Sequence, residues 1–85
     1  MSQPRQHPSP RERERVIECL QDLNIARAHL HTARRNTREW DKRMLRDDLL
    51  VSLERYAAAI ARMGAPVPRR LRTEIALYKG LKNRG

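Results

Sequence analysis

The stretch "RRNTREWDKR", residues 34–43, decides how this chain folds. Apolar residues recur at helical spacing on both sides of it, but the two patterns are one residue out of phase. Continuing the first pattern in steps of three and four would put Arg34, Thr37, Asp41, Asp48, Arg55 and Arg62 on the seam. The second segment instead lines up Leu45, Leu49, Leu53, Tyr56, Ile60 and Met63. One straight rod would not bury both stripes, so the phase predicts a break near residues 35–37 and a helical hairpin. No Gly or Pro interrupts the stretch, which leaves a continuous helix as the alternative. Asn36 and Glu39 are spaced as an N-cap and its third helical residue, and they predict that the second helix starts at residue 37.

Upstream, "SPRE" is a helix start. Ser9 suits the cap, Pro10 the first helical position and Glu12 the third, so backbone donors are satisfied from both sides. From there Val16, Cys19, Leu20, Leu23, Ala26, Leu30 and Ala33 fall within about 140° of arc, with Glu18, Asp22, Ile25 and His29 opposite. Arg27 stands at the edge of that arc, where its stem can pack and its head can reach water. Downstream, Gly64 suits the residue after a helix end, and Pro66 forbids continuation. "GAPVP" is then a stiff connector. Pro68 opens a third helix with Val67, Leu71, Ile75 and Tyr78 on one stripe, and Gly80 closes it in a left-handed conformation with Leu81 folded back.

The expected fold is therefore all-α: a long helical hairpin plus a shorter third helix, a three-helix bundle with a disordered N-terminal arm. The helices are expected at about 10–35, 37–63 and 68–79 within one domain spanning 9–80. Residues 1–8, polar with two prolines, form the arm, and residues 81–85 form a frayed basic tail. No segment shows strand alternation with β-branched enrichment. An 85-residue chain without Phe builds only a small core, so a partner or ligand is expected to contribute to stability.

Enzyme signatures are missing, and no catalytic residue, cofactor or metal is assigned. The three glycines form no phosphate loop. His29 and His31 point about 160° apart on a helix and cannot hold one ion from there. Asp47 and Asp48 diverge by about 100°, which suits solvated side chains better than an acid–base pair. Cys19 is the only cysteine, which fits a reducing cytoplasm. No leader or membrane-spanning stretch is legible, so no membrane role is expected.

Charge carries the functional reading. The formal net charge is +9, with a sequence pI near 11.2. Arginine supplies 16 of the 19 cations, a ratio that a GC-rich genome also produces. The excess is uneven: +1 over residues 1–32, +4 over 33–46, −1 over 47–64 and +5 over 65–85. The two basic segments predict a small cytoplasmic nucleic-acid-binding protein of bacterial or phage type. Duplex DNA is the expected partner, because phosphate contacts need no stacking aromatics and the chain has one Trp and two Tyr. The expected contacts are Arg34, Arg35, Arg38 and Lys42 at the junction, and Arg69, Arg70, Arg72, Lys79 and Lys82 on helix 3 and its tail. Arg69, Arg72 and Lys79 share one face of that helix around Ala76, with Glu74 turned away.

The second helix offers a rival reading. Trp40, Met44, Val51 and Ala58 form a second apolar stripe opposite the leucines. Either the helix is sandwiched between the other two, or Trp40, Met44 and Val51 meet another chain, as in a homodimer. On that reading the protein is an interaction module or adaptor without a nucleic-acid role, and its charge serves an acidic protein partner.

Overall fold

The computed structural model describes residues 9–33 and 38–84, leaving aside the side chains of Glu39, Trp40 and Arg84. Among the described residues there are three helices: α1 (Pro10–Ala33), α2 (Glu39–Arg62) and α3 (Arg69–Arg84). No strand occurs among the described residues. The expected arm over residues 1–8, with Arg34, Arg35, Asn36 and Thr37 of the junction, lies outside the described residues.

Helix α1 starts at Pro10 with Ser9 as its cap, as its sequence predicts, but the recorded bond of the Glu12 carboxylate is to the Ser9 hydroxyl and not to the Ser9 N–H. The Glu12 N–H donates to Ser9 Oγ at 3.2 Å, and the Ser9 hydroxyl in turn donates to Glu12 Oε1 at 3.2 Å. The Arg13 N–H donates to the Ser9 carbonyl at 3.1 Å as the first helical bond.

Two chain breaks then fix the topology. Arg38 has φ −61° and ψ 152°, an extended conformation that interrupts any rod. The Lys42 N–H donates to its carbonyl at 3.1 Å, so Arg38 rather than Asn36 occupies the cap, and α2 starts two residues later than the Asn36–Glu39 spacing predicts. The shift places Glu39 and Asp41 at the first and third helical positions, where the helix dipole favours acids. At the other end of α2, Gly64 takes φ +80°. Its N–H donates to Ala61 O at 2.9 Å and the Ala65 N–H donates to Ile60 O at 3.3 Å, a Schellman pattern that satisfies two terminal carbonyls. Pro68 then caps α3 through its carbonyl, which accepts from the Arg72 N–H at 3.2 Å.

Gly80 does not close α3. The helix passes through it to Arg84, so the tail expected to fray from residue 81 is helical, and Gly64 is the one glycine with positive φ among the described residues. The residues after the two glycines differ. Pro66 bars an N–H bond two residues after Gly64, whereas Leu81 and Lys82 continue Gly80's helix and line a cleft together with residues of α2.

Helix α2 is the central element, antiparallel to both neighbours. Leu23 and Ala26 of α1, Leu49, Leu53 and Ile60 of α2 and Leu71 of α3 make one core cluster, with Leu23 and Leu53 fully buried. Tyr56, Val67, Ile75 and Tyr78 pack around it. Both neighbours lie on the leucine side of α2. Its opposite stripe stays open: Met44 is 51% exposed, Val51 is 45% exposed and Ala58 is also exposed. The sandwich that would have covered that stripe is therefore not formed.

Candidate functional site

The antiparallel packing of α2 and α3 brings the two basic stretches of sequence together. The first turns of α2 lie beside the last turns of α3, and Arg43, Arg46, Asp47, Tyr78, Leu81 and Lys82 line a cleft of about 220 Å³. Three cations and one carboxylate share this small space. Tyr78 and Leu81 form its apolar wall, and Tyr78 also packs on the core cluster, which ties the cleft to the bundle. Continuation of α3 beyond Gly80 is what delivers Lys82 to this place.

The remaining cations of α3 lie toward its start. Arg69, Arg70 and Arg72 are exposed. From Arg69 to Lys82 the helix rises roughly 20 Å at 1.5 Å per residue, so the expected contacts form two groups near opposite ends of α3. Lys79 lies between them and is exposed, with Nζ 3.9 Å from Glu54 Oε2. That pair is long and solvated, and it reduces the field of Lys79 without locking it.

The junction residues are more scattered. Arg38 is exposed at the cap of α2, and Lys42 is half-buried on the leucine side. Arg34 and Arg35 lie outside the described residues, as does the side chain of Trp40. Arg43 and Arg46 were not among the expected contacts. Their signal was present, because i and i+3 share a helix face and both belong to the most basic segment at the junction. The partner that completes the cleft, Lys82, comes from a different helix, and sequence spacing does not reveal it.

Between α1 and α3 a second opening is bridged by Arg27. Its Nη2 donates to Glu74 Oε1 at 2.9 Å and to Oε2 at 3.1 Å. The pair spans 47 residues of sequence and holds α3 against α1 where their backbones do not come close. On one side of it lie Tyr56, Pro68, Arg70 and Leu71, and on the other Leu30, His31, Leu49 and Tyr78. Glu74 is thus occupied by Arg27 and turned away from the Arg69, Arg72 and Lys79 face, which keeps that face free of carboxylate from α3 itself.

Among the described residues, no group of three or more His, Cys, Asp or Glu side chains could hold a metal ion. Cys19 is buried against the hairpin interface. No described helix is long and apolar enough to cross a membrane. No protein-family model matches the chain, and neither a curated protein nor a solved structure matches it.

Proposed function

We propose that this protein binds nucleic acid, duplex DNA in particular, through backbone phosphates and without catalysis. The observation that carries the reading is the cleft of Arg43, Arg46 and Lys82, in which cations from two sequence-distant basic segments converge. Arg69 and Arg72 add exposed cations toward the start of α3. Arginine forks suit phosphate oxygens, and a net charge of +9 draws a polyanion toward the surface before contact. A cytoplasmic location belongs to the same proposal, as does the view that Arg34, Arg35 and Arg38 add contacts at the junction.

Replacing Arg43 and Lys82 with Gln is the direct test. Fluorescence anisotropy with a short labelled duplex at low salt should show an affinity loss of about tenfold or more, since two charge-assisted phosphate contacts are removed. Unchanged affinity in a folded R43Q/K82Q variant would remove the cleft from the binding surface.

A second reading rests on the open stripe of α2. Met44 and Val51 are large, apolar and about half exposed on the face that neither α1 nor α3 covers. On this reading the stripe, with Trp40, seats a second copy of the chain as a homodimer or a different protein. Light scattering should give a dimer mass for the wild-type protein and a monomer mass for M44A/V51A. A wild-type monomer at high concentration would discard the homodimer.

A further inference from the structure

A second group of cations lies well away from the α2–α3 cleft, in the groove between the start of α1 and the end of α2. Arg11 and Arg15 stand one turn apart on α1, and Arg55 and Arg62 stand two turns apart on α2. The hairpin sets these two pairs opposite one another. They line two adjoining hollows of about 410 and 120 Å³, which share Arg15, Ala59 and Arg62. Ala59 lines both hollows and Ala58 lines the smaller one, and with no atoms beyond Cβ they leave room between the guanidinium groups.

All four arginines are exposed, and none forms an ion pair or side-chain hydrogen bond among the described residues. The one carboxylate lining the hollows is Glu12, which accepts from the Ser9 hydroxyl. Glu14 and Glu18 lie on α1 nearby in sequence and form no ion pair with the four among the described residues. The dipole of α1 favours an anion here, and that of α2 opposes it, so the guanidinium groups set the local field.

We infer that this groove is a binding site for phosphate groups, separate from the α2–α3 cleft. Four planar forks that share their hollows with one carboxylate, Glu12, and form no ion pair among the described residues keep a net positive charge, which calls for an acceptor with several oxygens and more than one negative charge, as phosphate provides and a single carboxylate does not. The guanidinium groups donate to the phosphate oxygens, and binding relieves the mutual repulsion of the four cations. A free phosphate compound and a nucleic-acid backbone offer the same chemistry. The inference does not rest on the nucleic-acid reading.

The test uses the full chain and inorganic pyrophosphate, with affinity measured by calorimetry at constant ionic strength. Three proteins are compared: wild type, R15Q/R62Q, and R13Q as a control on α1, because Arg13 is exposed but lines neither hollow nor the α2–α3 cleft. Affinity for pyrophosphate should fall by about tenfold or more in R15Q/R62Q and stay within about twofold of wild type in the control. If R15Q/R62Q loses helicity, R11Q/R55Q, whose side chains are likewise exposed, carries the same expectation. A second arm repeats the comparison with a short DNA duplex. A parallel loss there identifies backbone phosphate as a ligand, and a loss confined to pyrophosphate identifies a free phosphate compound. No pyrophosphate binding to wild type, or equal losses in the groove and control variants, would overturn the site. A failure of R43Q/K82Q to affect DNA binding would count against the α2–α3 cleft alone.

Discussion

Gly64 and Gly80 both come after a run of helical residues, yet one ends its helix and the other does not. Gly64 holds φ +80°, a conformation that costs an L-residue roughly 1 kcal/mol. Gly80 is interior to α3, and a Cβ built on it would meet nothing within 4 Å. Gly80→Ala should therefore stabilise the fold by up to about 1 kcal/mol, whereas Gly64→Ala should destabilise it by a similar amount. Thermal melts monitored by circular dichroism would show shifts of opposite sign, of about 4–8 °C per kcal/mol for a domain of this size. Shifts of the same sign would mean that α3 ends at Gly80 after all. The sequence made the role of Gly64 legible because Pro66 comes two residues later. At Gly80 no proline follows, so local spacing did not distinguish a helix end from a helix that continues.

At the scale of elements, α2 carries both the stability and the exposure of the molecule. Its leucine stripe and the capping of α1 by Ser9 and Glu12 were legible because both arise from spacing within one helix. The start of α2 was not. Asn36 and Glu39 have the spacing of a cap, but the extended residue is Arg38, whose side chain makes no capping hydrogen bond. Arg38→Ser supplies the missing acceptor and should raise stability by about 1 kcal/mol in urea unfolding. A neutral or destabilising result would place the true cap elsewhere. The Arg27–Glu74 pair was likewise illegible. Arg27 could be placed at the edge of the apolar arc, but its partner sits on a third helix whose orientation only packing determines.

Across the whole molecule, the basic surface divides in a way that sums along the sequence conceal. Residues 1–32 carry a net charge of +1 and residues 47–64 a net charge of −1, so neither segment stands out. The hairpin nevertheless brings four of their arginines into one groove. The two segments with obvious excess meet at the opposite end of α2, around Arg43, Arg46 and Lys82. Pairing of segments, rather than segment charge, locates both clusters, and antiparallel packing supplies the pairing. The central claim is that such clusters engage nucleic-acid phosphates, and counterion release tests it most directly. The affinity for a random duplex should be measured from about 50 to 200 mM salt. If at least three phosphates are neutralised, log affinity against log salt should fall with a slope of about −3 or steeper. A slope near zero, or no duplex binding at the lowest salt, would contradict it.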